Sequence, residues 1–204
     1  LISLTKAFWH SAKAKRRVSN VAALLATAVL CYMWYASAVT RYDIEVKHIE
    51  ISHPLVPESF DGYRIAQFSD FHLGSLHKDT PFVNDVVKAI NAENADMIVF
   101  TGDLANSTSK DVEPFVEQLS RLYAPDGVIS IMGNHDYGDY YVWDSPDKQK
   151  ADIENMHRLQ RSAGWRLLLD ETVAVTRGND SIMIIGVENI GNSTFHTYGD
   201  LRKA

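Results

Sequence analysis

The sequence predicts an α/β domain carried behind a single membrane-spanning helix, and three observations lead there. Between residues 63 and 162 short apolar runs alternate with amphipathic stretches, the strand–helix–strand rhythm of βαβ units with right-handed crossovers. Three of those apolar runs stop abruptly in carboxylate, imidazole or amide side chains, as buried strands do where an open sheet presents a site. Residues 18–40 contain no charged side chain, 23 residues where a membrane-spanning helix needs about 20.

The N-terminal segment is the first element. Residues 1–40 carry Lys6, Lys13, Lys15, Arg16 and Arg17 and no acidic residue, whereas the rest of the chain holds 15 basic and 26 acidic residues. Residues 1–17 are therefore expected to be a cytoplasmic basic segment, 18–40 the transmembrane helix, and 41–204 an extracytoplasmic domain. Tyr32, Trp34 and Tyr35 fit an interfacial aromatic belt at the far end. Two alternatives remain open on the same residues. One is a buried core helix. The other is a cleaved signal peptide, because Ala36-Ser37-Ala38 has the small-x-small cleavage pattern. Arg16-Arg17 resembles a twin-arginine signal only poorly, since the polar pair Ser19-Asn20 follows it. Cys31 is the only cysteine, so no intramolecular disulfide forms and cysteine usage does not identify the compartment.

The following elements read in order. Ile44, Val46, Ile49 and Ile51 alternate with charged residues and predict a half-exposed strand over 41–51. Pro54 and Pro57 end it, and Asp61-Gly62 turns the chain into a strand near 64–69. Thr80-Pro81 starts a helix with Phe82, Val83, Val86, Val87 and Ile90 on one face. A strand over 96–101 follows. A second helix then has Pro114 in its first turn and Phe115, Val116, Leu119 and Leu122 inward. Asp126-Gly127 turns into a strand over 128–132. Residues 137–147 form an aromatic, acidic loop, read equally as a lid or as a solvated insertion. A third helix spans 148–162 with Gly164 as its C-cap. Strands over 165–169, 172–177 and 181–187 come last, the final two joined at Gly178-Asn179-Asp180 as a hairpin. Residues 191–199 read as loop and Asp200 as a helix cap.

The three strand ends carry Asp70-Phe71-His72, Gly102-Asp103 and Gly133-Asn134-His135-Asp136. Asp, His and Asn are ligands suited to divalent Mn, Fe or Zn. Taken singly, each has a structural use. Asp70 or Asp136 would cap a turn, Asp103 a helix, and Asn134 would sit in a left-handed turn. Taken together at converging strand ends they form most of one half of a two-metal hydrolytic site. In this order the motifs resemble the calcineurin-like metallophosphoesterase superfamily over about residues 45–204. Within it, Phe68-Ser69-Asp70-Phe71-His72-Leu73-Gly74 and the preceding membrane segment resemble the YaeI-type bacterial phosphodiesterases.

That resemblance implies an α-β-β-α sandwich of the metallophosphoesterase type and two divalent metal ions. It implies Asp70 and His72 on the first metal, Asp103 bridging, Asn134 on the second, His135 facing the scissile phosphate, and Asp136 orienting His135. It also implies further histidines downstream, ending in a Gly-His-x-His box. The sequence ends at Ala204 before either, so it reads as the N-terminal part of such a domain, incomplete in its second sheet. His77 reads as a loop residue, His10, His48, His53 and His157 as surface residues, and His196 is unassigned. A phosphate ester is the expected substrate, lipid-linked by virtue of the anchor, and nucleic acid is disfavoured by the acidic balance of 41–204. The two rivals are a membrane-anchored scaffold with a vestigial metal site and a metallonuclease.

Overall fold

The computed structural model describes residues 12–191 and 196–204. The expectations placed on residues 1–11, and on 192–195 within the 191–199 loop, lie outside the described residues. The chain forms two units, 1–47 and 48–204.

The first unit is dominated by helix α1, Ala12–Ala38. It begins earlier than the apolar stretch does, so Lys13, Lys15, Arg16 and Arg17 belong to its first turns. Lys and Arg are good helix formers whose long stems let the charge reach water. It is the one described helix long and apolar enough to cross a membrane, and Leu24, Leu30 and Trp34 are exposed along it.

The strand expected over 41–51 does not form. A short 3-10 turn at Thr40–Tyr42 leads into unpaired chain, and Ile49 and Ile51 are more than four-fifths exposed. Alternation of apolar residues marks a face, but a strand also needs a neighbour to take its N–H and C=O groups. None of the described ladders includes this segment.

The second unit is built on four parallel strands in sequence order: β1 Ile65–Phe68, β2 Met97–Phe100, β3 Val128–Ser130 and β4 Arg166–Leu167. Helices α2 (Phe82–Ala92), α3 (Val116–Leu119) and α4 (Pro146–Ser162) make the crossovers. The expected second helix is largely replaced by two 3-10 turns, Ser109–Asp111 and Glu113–Phe115, leaving only one α-helical turn. Asp111 accounts for the first turn, because its carboxylate accepts the N–H groups of Asn106, Ser107 and Thr108.

Pleating sorts the apolar residues onto two faces. Ile98, Phe100 and Val128 pack with Val83, Val87, Leu119, Met156 and Leu159 of the helices. Met97, Ile129, Val99 and Ile131 pack the other way, against Val175, Val173, Ile182 and Ile184. Those last residues belong to an antiparallel hairpin, β5 Glu171–Arg177 and β6 Asp180–Gly186, turned at Gly178-Asn179 as expected. The layers are thus helices, parallel sheet and a two-stranded second sheet. On the hairpin's outer face Met183 and Ile185 are exposed, and no helix covers them among the described residues. The helix expected after Asp200 is a single turn, in which the Asp200 carboxylate accepts the Arg202 N–H. His157 is half-buried rather than on the surface, and burial lowers its pKa.

Candidate metal centre

Because β1, β2 and β3 run parallel and in register, their C-terminal ends lie side by side. The loops after β1 and β2 continue the ladder beyond the strands. Asp70 N–H donates to the Gly102 carbonyl at 2.9 Å, His72 N–H to the Asp103 carbonyl at 3.1 Å, and Leu73 N–H to that of Leu104 at 3.0 Å. The loops after β2 and β3 touch backbone to backbone. A Cβ on Gly102, whose φ is +101°, would meet Gly133 N at 2.5 Å, and one on Gly133 would meet Asp103 Oδ1 at 2.2 Å. Both glycines are required by this approach.

The side chains meet where the loops do. His72 Nε2 lies 3.8 Å from Asp103 Oδ2 and 3.9 Å from Asp70 Oδ1. One ligand atom each from His72, Asp103 and His135 fall within 4.8 Å of one another. These separations are too long for hydrogen bonds. The two His72–carboxylate distances match neighbouring ligands of one cation, which bonds of about 2.0–2.2 Å set roughly 3–4.3 Å apart. The donor set fits a divalent metal.

The other Asp103 oxygen, Oδ1, accepts the His135 N–H at 3.0 Å, tying the second strand end to the third. The His135 ring donates Nδ1–H to the Asn106 carbonyl at 2.7 Å, which leaves Nε2 as the nitrogen not committed to that bond. Asn134 Nδ2 donates to Tyr140 Oη at 2.7 Å.

Asp136 does not serve His135. Its carboxylate is buried and accepts four backbone N–H groups: Gly133 and Asp103 on Oδ2, Leu104 and Ala105 on Oδ1, all at 2.9–3.0 Å. The orienting role expected for it falls to the Asn106 carbonyl, because the fold aims the amides of the β2 loop at Asp136 first. Burial pushes the Asp136 carboxyl up to about 6, against the pull of those N–H donors and with the Asp103 carboxylate adding to the rise.

An open pocket of about 340 Å³ is bounded by Asp70, Gly102, Asp103 and Asn134, and on its far side by Glu188 and Asn189. Glu188 follows β6, and burial raises its carboxyl while Tyr137 Oη donates to it at 3.0 Å. Sequence reasoning passed over Glu188, Asn106 and Tyr140. Glu188 carried the signal already used three times, a polar residue directly after an apolar strand. His77 and His196 pair with Asp79 and Asp139 respectively and do not belong to the His72–Asp103–His135 group.

Comparison with known proteins agrees with the geometry. A calcineurin-like phosphoesterase family model matches residues 63–202. Among curated relatives, the chain is 38% identical over 108 residues to the uncharacterized metallophosphoesterase YkuE of Bacillus subtilis, covering 52% of this chain. It is 31% identical to the UDP-2,3-diacylglucosamine pyrophosphatase LpxG of Chlamydia trachomatis over 60% of the chain. It is 29% identical to a transmembrane protein with metallophosphoesterase domain from Danio rerio over 84% of the chain. The chain spans 37% of the length of each of these three relatives.

Proposed function

The chain belongs to the calcineurin-like metallophosphoesterase family, and from that premise we propose that the protein hydrolyses phosphoester or pyrophosphate bonds with two divalent cations of the Mn, Fe or Zn type. Metals of this kind acidify a water and neutralise charge on the phosphoryl oxygens. The chain's own residues would hold and aim them. Asp70 and His72 would take one cation, Asp103 would reach both, and Asn134 would take the second. His135, with Nδ1 committed to Asn106, offers Nε2 to the phosphoryl or leaving oxygen. Asp136 fixes the loops that carry these groups and touches no substrate.

The supporting observation is the convergence of carboxylate and imidazole atoms from three strand ends at ligand spacing. The same spacing favours a second reading of one residue, with His135 as a ligand instead of a proton donor. X-ray absorption on the Mn-loaded protein would separate the two by counting nitrogen ligands per metal.

A lipid-linked substrate outside the cytoplasm is the finer proposal. It is supported by the apolar helix, the basic residues at its start and the pyrophosphatase named among the relatives. The test is turnover of a chromogenic bis-phosphodiester with Mn(II), abolished by Asp103→Asn. Metal binding without turnover would favour the scaffold reading instead. Faster cleavage of soluble nucleotides than of lipid phosphates would remove the lipid assignment.

A further inference from the structure

The loop at 137–143 is not a loose insertion. Tyr137 is buried and stacks face to face on Tyr198, with centroids 3.6 Å apart, and Gln149 donates to its carbonyl at 3.0 Å. Gly138 adopts φ +71°, and its carbonyl accepts Trp143 Nε1–H at 2.7 Å and the Tyr141 N–H at 3.2 Å. The loop is thereby pinned on both sides of Tyr140, a residue 48% exposed.

Among the described residues, Tyr140 touches two residues of the candidate metal centre. Its hydroxyl accepts Asn134 Nδ2–H at 2.7 Å. Its ring lies on the His135 imidazole at 4.3 Å and 22°, while the His72 ring meets that imidazole edge-on at 4.7 Å and 88°. An amide at the end of a short side chain rotates freely about its last bond. With Nδ2 held by the hydroxyl, Oδ1 is left to turn toward a cation. His135, anchored at Nδ1 by Asn106, still needs its ring plane fixed, and a flat aromatic surface does that.

We propose that Tyr140 is a positioning residue for the reaction, setting the Asn134 amide through its hydroxyl and the His135 imidazole through its ring. This rests on the reading of Asn134 and His135 given above. The two functions sit on different parts of one side chain, so two variants separate them. Tyr140→Phe keeps the ring and loses the hydroxyl, and Tyr140→Ala loses both.

The experiment measures Mn(II) affinity by calorimetry, and kcat and KM on a chromogenic phosphodiester, for the full chain in detergent. Both variants are expected to bind Mn(II) about 10-fold or more weakly, the usual effect of removing a partner of a metal ligand. In Tyr140→Phe, saturating Mn(II) restores kcat. In Tyr140→Ala it does not, and KM stays near wild type. Unchanged Mn(II) affinity in both variants overturns the hydroxyl's part, and restoration of kcat in Tyr140→Ala by excess metal overturns the ring's part. A wild-type chain that binds Mn(II) without turnover defeats the hydrolase reading alone, since the affinity comparison still decides the hydroxyl's role. A wild-type chain that binds no Mn(II) defeats both.

Discussion

Among the described residues, three of the five non-glycine positions with positive φ are Asp70, His72 and Asp103. Left-handed backbone costs an Asp or His on the order of 1–3 kcal/mol and persists only where the surroundings enforce it. Here the enforcement is visible in the amide-to-carbonyl bonds between the two loops and in the four N–H groups held by Asp136. Asp136→Ala would strand those four donors, two of them buried, and is expected to lower stability by about 3 kcal/mol in urea titrations. Asp136→Asn, which keeps one accepting oxygen, should cost less. Gly133→Ala drives a methyl into the Asp103 carboxylate, so Mn(II) affinity should fall at least about tenfold. The residues that converge at the strand ends were legible because carboxylate and imidazole are conspicuous after apolar runs. The part played by Asp136 was not, because three of its four partners come from a segment more than thirty residues away, to which nothing in its own neighbourhood points.

At the scale of elements, periodicity found β1, β2, β3 and the hairpin because each has a neighbour to pair with, and it misread residues 41–51 because pattern alone cannot show whether one exists. The segment after β2 was misread for a local reason, the capture of three backbone amides by Asp111. Strands matter here as mounts for the site. Phe100 is 1% exposed and packs between Phe68 and Trp165, with centroids 4.9 and 5.4 Å away. Phe100→Ala should cost about 3–5 kcal/mol of unfolding free energy by chemical denaturation. Because β2 ends at Phe100, the same change should weaken metal binding at Asp103, three residues on.

On the scale of the whole molecule, the chain divides into a unit dominated by one apolar helix and an α/β unit. The βαβ units and the hairpin were legible from the same periodicities and their layering only from the family resemblance, whereas the pocket wall formed by Glu188 emerges only when the hairpin folds over the sheet. Retention of helix α1 is expected to hold the chain in membranes through alkaline carbonate washing, and deletion of residues 1–40 to release it. The most direct measurement is a calorimetric titration of Mn(II) into the purified chain, beside Asp103→Ala. Saturable binding in the parent, lost in the variant while its circular dichroism stays unchanged, is the expected result. Equal binding by both proteins, or none by the parent, would contradict a cation centre assembled from these three strand ends.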